Sequence, residues 1–418
     1  MKILIKQAKI ISPSSPFNGQ TKDILIITGK ISKIADDISE KADQTIEHKG
    51  LCVSIGWMDI FADFGDPGFE QKESIETGAK AAAAGGFTDI MLLPNSNPVV
   101  DNKAQVEYVV QKAKQVSVTI HPIGTVTKKA EGKELSEMYD MRQSGALAFS
   151  DGINPIQNSG LLLKALQYVK SFNGTVIQIP DDTSIGANGL MNEGIISTQM
   201  GLPGKPAMAE ELMVARDIKL ARYADSKLHF TGVSSPKSLE YIKRAKEGGI
   251  QVSCSITPYQ IYFCDEDLQG YDTNLKLNPP VRNRSDMMAI RQALLDGAID
   301  CIASHHLPQQ WDNKVCEFEY AKPGMIGLET MFAVLTEIGL PVTDFIQMQT
   351  IKARQLFGLP IPEIKEGEMA ALTLFLPGQE FIFEEKMIQS KSKNTAFTGK
   401  KLKGKVVGII NKGTIELN

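Results

Sequence analysis

The sequence predicts an α/β protein: a closed (β/α)8 barrel of the TIM type, carrying a small β domain built from both ends of the chain. Three observations predict it. Helical stripes alternate with short apolar strands through the middle of the chain. Eight such strands can be counted, enough to close a barrel. Both ends leave that rhythm for strand-like alternation.

The N-terminal stretch, residues 1–55, reads KILIKQAKII and DILIITGKISKIA, with Gly and Asn turns between the runs. Residues 366–418 do the same in ALTLFLP, EFIFEEKMI and KVVGIINKGTIE. These two stretches are assigned to one composite β domain, and residues 56–365 to the barrel. The first barrel strand lies near CVSIGWMDIF. SIETGAKAAAAGG then carries a helical Ile75/Ala79/Ala82 stripe and a glycine stop before the strand FTDIMLLP. Six further helix-then-strand units follow, ending on VTIHPIG, ALAFSD, TVIQIP, KLHFTGV, QVSCSITP and DCIASHH. Strands this apolar, with helices between them, imply a parallel sheet covered on both sides.

Composition narrows the function classes. The chain of 418 residues is 42% hydrophobic and 22% charged with a net charge of −4, which gives no electrostatic case for nucleic acid or an anionic membrane. Lys6 and Lys9 interrupt the first apolar run, so it reads as neither a signal peptide nor an anchor. Cys52, Cys254, Cys264, Cys301 and Cys316 are scattered without a Cys-x-x-Cys pair, which reads as reduced thiols in a cytoplasmic protein.

In a barrel of this kind, function gathers at the C-terminal ends of the strands. Here those ends are DFGD, MLLPNSN, FSDG, QIPDD, HFTGV and ASHH. Around them stand GFEQKESIETGAKAAAAGGFTDIMLLPNSNPVVDN, GLMNEGIISTQMGLPGKPAMAEE, YDTNLKLNPPVR, PGMIGLET and SKNTAFTGKKLKGKV. By these motifs, almost end to end, the chain resembles the dihydroorotases of the amidohydrolase superfamily, in their long class with a composite β domain. The resemblance implies interconversion of dihydroorotate and N-carbamoyl-aspartate in pyrimidine synthesis. It also implies zinc, held by an Asp-x-His-x-His on the first strand, an aspartate or modified lysine, and two later histidines. An aspartate on the eighth strand is the family's general base.

Placed on this sequence, most of those roles fall on residues unable to perform them. The first-strand histidines fall on Phe61 and Asp63, and the arginine that grips substrate carboxylate falls on Gly65. Phe-Ser/Thr-Asp-Asp-Gly falls on Phe149-Ser150-Asp151-Gly152; spacing puts the ligand on Gly152, with Asp151 the alternative. The fifth-strand histidine falls on Ile179 and the sixth-strand ligand on Gly232, three residues past His229. On the eighth strand the base falls on His305, followed by His306, and a substrate-contacting histidine falls on Gln309. Asn95, Asn278, Pro323 and Gly324 keep the residue types that the resemblance assigns to substrate contact.

Magnitudes decide what this predicts. Zinc lowers the pKa of bound water from about 15.7 to about 7, worth roughly 12 kcal/mol of nucleophile activation. A positioned base such as His305 is worth about 10² to 10⁴-fold, or about 3–5 kcal/mol. The base cannot replace the metal. The arginine lost at Gly65 removes a charge-assisted contact worth about 1.5–3 kcal/mol of dihydroorotate binding.

The reading is therefore a metal-free, non-catalytic dihydroorotase-like subunit, structural or regulatory. By analogy with inactive relatives it points to aspartate transcarbamoylase as partner, and to a homo-oligomer. The alternative is an active dihydroorotase or related cyclic-amide hydrolase with a rebuilt centre of Asp63, Asp151 and His305, in which Asp63 and His305 pair across the barrel seam. A third is a sensor holding an orotate-like ligand through Asn95 and Asn278. His229, His48 and His121 are read as structural, Asp181-Asp182 as a solvated turn, and Phe61 as a plug that closes the site further.

Overall fold

The computed structural model describes residues 1–418. Eight parallel strands form the barrel wall: Trp57–Ala62, Phe87–Leu92, Thr119–Gly124, Ala148–Phe149, Thr175–Gln178, Lys227–Phe230, Val252–Ile256 and Cys301–Ile302, hydrogen-bonded in that order. A parallel bridge between Ala62 and His306 returns the eighth strand to the first. Helices cover the outside because each presents one apolar stripe. Ile75–Ala84 is capped by Ser74, whose hydroxyl accepts from the Thr77 amide, while the Thr77 hydroxyl accepts from the Ser74 amide. Lys103–Lys112 is capped by Asn102 and Ser159–Lys170 by Asn158. Met208–Ala224, Pro236–Glu247, Arg284–Leu295 and, after the eighth strand, Met331–Glu337 complete the shell, with the short Met138–Gln143 before the fourth strand. No helix is long and apolar enough to cross a membrane.

The second sheet takes strands from both ends of the sequence. Lys2–Ile10, Thr21–Ile27, Lys30–Ala35, Gln44–Ile46 and Cys52–Ile55 join Leu372–Ile382, Lys401–Asn411 and Thr414–Leu417. The join is Cys52–Ile55 running antiparallel to Leu372–Phe375. Its core is Ile-rich, with Ile5, Ile10, Ile24, Ile26 and Ile31 all fully buried.

Sheet and barrel meet at Trp57, the first residue of the first barrel strand. Its ring packs on Phe87, Phe332, Phe345 and Phe375 at centroid distances of 6.1, 4.9, 4.8 and 5.4 Å. Its indole N–H donates to Ser54 Oγ at 2.9 Å. An apolar body and a satisfied N–H let this side chain be wholly buried where the two units join.

Candidate functional site at the barrel mouth

The first and eighth strands are tied by a carboxylate. Asp59, fully buried, accepts from the Ser304 amide and the Ser304 hydroxyl, both at 2.7 Å. Two residues on, Phe61 turns into the barrel and lies against the His305 ring, centroids 4.4 Å apart and planes inclined by 29°. Asp63 follows at the strand end, where its amide donates to the His306 carbonyl at 2.9 Å and its carboxylate accepts from the Gly65 amide at 2.8 Å. Burial pushes the Asp63 carboxyl above the usual range.

The expected Asp63–His305 pair across the seam is not formed. His305 has a left-handed backbone, φ 43°, which carries its ring away from Asp63 to Thr231, whose Oγ1 lies 2.8 Å from Nε2. This contact is the end of a chain through the barrel. Ser255 Oγ donates to Thr231 Oγ1 at 2.9 Å, His229 Nε2 is 3.0 Å from Ser255 Oγ, and Ser253 Oγ is 2.8 Å from His229 Nδ1.

Its polarity follows from proton counting. Ser255 spends its one hydroxyl hydrogen on Thr231, so Ser255 accepts from His229 Nε2–H, while the Thr231 oxygen, with one hydrogen and two lone pairs, meets His305 Nε2 as either donor or acceptor. His305 Nδ1 is a buried atom with no hydrogen-bond partner. Burial holds His305 down to about 3 and His229 down to about 4. Nitrogen NMR at about pH 5 should show both rings neutral, with His229 as the Nε2–H tautomer. An imidazolium signal from either ring would contradict the chain.

The zinc that the resemblance implies does not fit this donor set. A Cβ at Gly232 would come within 2.7 Å of His305 Cε1, so the His305 ring fills the space into which a ligand at that position would project. A Cβ at Gly152 would fall 1.7 Å from Asn95 Oδ1. Both glycines have left-handed backbones, with φ 72° and 64°. Asp151 is turned the other way, accepting from the Val126 and Thr127 amides at 2.9 and 2.8 Å and from the Thr127 hydroxyl at 2.5 Å. Phe61 and Ile179 are buried and apolar. The structure thus leaves Asp63, Asp151 and His305 on separate partners and does not assemble them into a centre; no group of three or more His, Cys, Asp or Glu is placed to hold a metal ion.

The mouth itself stays open. Phe61 lies below it and does not line it, so the expected plug does not close the site. A cavity of ≈ 430 Å³ is lined by Asp63, Lys72, Asn95, Ile179, Asn278, Gln309 and Pro323, among others. Two of the expected substrate contacts are held by the protein. Asn95 Nδ2 donates to the Asp151 carbonyl at 3.1 Å, and its Oδ1 accepts from the Ile153 amide at 3.1 Å. Asn278 Oδ1 accepts from Lys205 Nζ at 2.9 Å. Gln309 donates to the Pro323 carbonyl at 2.9 Å, and Gly324 is fixed by its amide on the Lys276 carbonyl at 3.0 Å.

Asp181 pairs with Lys205 at 2.5 Å and is buried, unlike the expected solvated turn, whereas Asp182 bonds only its own turn through Ser184. His121 sits 3.0 Å from Asp89, which also holds Arg354 at 2.6 Å. His306 accepts from the Gly327 amide at 3.3 Å and faces Glu73 at 3.6 Å. His48 is exposed. Sequence reading does not single out Asp59, Thr231, Ser253, Ser255 or Lys205; only Asp59, the first acid of the D-x-F-x-D run, carries a visible signal.

A closed eight-stranded barrel with a second sheet defines a protein of amidohydrolase-like fold. L-hydantoinase (dihydropyrimidinase) from Arthrobacter aurescens shares the fold with a TM-score of 0.83 at 21% identity, over 100% of this chain and 97% of that one. The Dihydro-orotase-like family profile matches residues 51–238. A dihydroorotase of Syntrophus aciditrophicus (strain SB) is 38% identical over 422 residues, 99% of each chain. One of Caldicellulosiruptor saccharolyticus is 40% identical over 421 residues, covering 99% of this chain and 98% of that one. The chain belongs to the dihydroorotase-like family.

Proposed function

We propose that this chain is a dihydroorotase-like protein of pyrimidine synthesis that does not turn over its family's substrate, and that it acts as a structural or regulatory subunit with aspartate transcarbamoylase as partner. One observation carries the reading: the ring of His305 occupies the space above Gly232, with its Nε2 held against Thr231 Oγ1. A ring packed there leaves no room for a ligand side chain at position 232, and no group of three or more His, Cys, Asp or Glu is placed to hold a metal ion. The kinship supports the pathway, and the assembly role follows from keeping the scaffold while losing the chemistry.

The test is dihydroorotate hydrolysis by untagged protein, with zinc added and with chelator. The expected rate is background in both, with far less than one zinc per chain on metal analysis. Zinc-dependent turnover abolished by chelator would reverse the conclusion. Co-purification from the native cell tests the partner, expecting aspartate transcarbamoylase, and sizing of the purified chain tests the homo-oligomer.

A second reading, an active dihydroorotase or related cyclic-amide hydrolase, draws on the open mouth, whose ≈ 430 Å³ would admit a small heterocycle. The same assay decides between the two. If orotate or N-carbamoyl-aspartate raises the melting temperature without turnover, the mouth has been kept as a sensor.

A further inference from the structure

Beside the mouth lies a second cavity of ≈ 420 Å³, bounded by Asp181, Lys205, Lys276, Asn278, Glu319 and Lys322 among others. It shares only Asn278 and Pro323 with the mouth, so an occupant would sit next to the mouth and not in it. Three ammonium groups border it, and the barrel chemistry uses none of them. Lys276 is 7% exposed, yet its ammonium donates only to the Phe318 and Glu319 carbonyls, at 2.7 and 2.8 Å. A buried ammonium with two neutral acceptors and no carboxylate is short of negative charge. Lys322 is exposed at the rim, as is Glu319.

Lys205 is already engaged by an internal anion. Asp181 Oδ2 lies 2.5 Å from Lys205 Nζ and 3.4 Å from Asn278 Nδ2, so one carboxylate oxygen is met by an ammonium and an amide N–H together. Ammonium plus amide is a standard oxyanion contact, and a lysine is suited to phosphate as a point charge. Asp181 already neutralises Lys205, which leaves Lys276 and Lys322 against the single rim acid Glu319. We infer that this cavity is a binding site for a small, multiply charged oxyanion of the phosphate type, with Lys205 as its anchor and Asp181 as the internal anion that competes for it.

The inference is independent of turnover, so its test stands apart from the hydrolysis assay. Titration calorimetry or ligand-observed NMR at low salt would use inorganic phosphate, pyrophosphate and phenyl phosphate as probes; phenyl phosphate distinguishes a phosphorylated organic molecule from the free ion. Wild-type protein is expected to bind at least one of them saturably. Lys205→Met should weaken binding about ten-fold or more, the effect of losing one charge-assisted contact. Asp181→Asn should tighten it several-fold, a gain that misfolding cannot imitate. Absence of saturable binding to wild-type protein up to about 10 mM, or equal affinity in wild type and a folded Lys205→Met, overturns the proposal.

Discussion

Gly232→His, the single change that puts an imidazole back at the sixth strand end, is expected to destabilise the protein by about 2–6 kcal/mol. Two costs combine. A Cβ at Gly232 would be 2.7 Å from His305 Cε1 and 3.3 Å from Nε2, which forces the packed ring aside at about 1–3 kcal/mol. The φ of 72° is strained for any side chain, at about 1–3 kcal/mol more. The first cost belongs to the pair and the second to the position. In a cycle with His305→Asp, urea midpoints should therefore recover the steric part only. If Gly232→His melts like wild type, His305 does not occupy the space assigned to it, and the case against a metal here weakens.

Trp57→Ala is expected to cost about 3–5 kcal/mol, a large fraction of the stability of most domains. The indole is fully buried and meets four phenylalanine rings drawn from the barrel wall, the outer helices and the second sheet. Truncation opens a cavity bounded by side chains of all these elements, and it leaves Ser54 Oγ without the indole N–H that it accepts. Denaturant unfolding would measure it. A second, earlier transition in the variant would show that the sheet and barrel stay coupled through this residue. Loss below about 1 kcal/mol would mean that the surrounding rings collapse to fill the gap.

The architecture was legible because it is written in periodicity. Ile75, Ala79 and Ala82 mark one helical face, and FTDIMLLP after them is too apolar for anything but a covered strand. The site was legible by subtraction: Phe61, Ile179 and Gly232 cannot be zinc ligands in any conformation. What the site became was not legible. Asp63 and His305 belong to neighbouring strands, and pairing them required both to end in extended backbone. The left-handed turn at His305 sends its ring to Thr231 instead. Nothing in the string marks Ser253, Ser255 and Thr231 as members of a relay, since hydroxyl residues are common in strands and the links cross between strands. Lys205 and Asp181 stand 24 positions apart in stretches with no shared period, so only the folded chain reveals their contact.

The way the second sheet is stitched has a consequence for synthesis. Ile55 pairs with Leu372, and the Trp57 amide donates to Thr373 Oγ1 across 316 positions of sequence. While the ribosome makes the barrel, the first strands pair among themselves, but the side of Cys52–Ile55 that will take Leu372–Phe375 has no mate. An exposed apolar strand edge invites pairing with another nascent chain. The interval in which this protein most needs a chaperone therefore lasts until the segment from Leu372 leaves the exit tunnel.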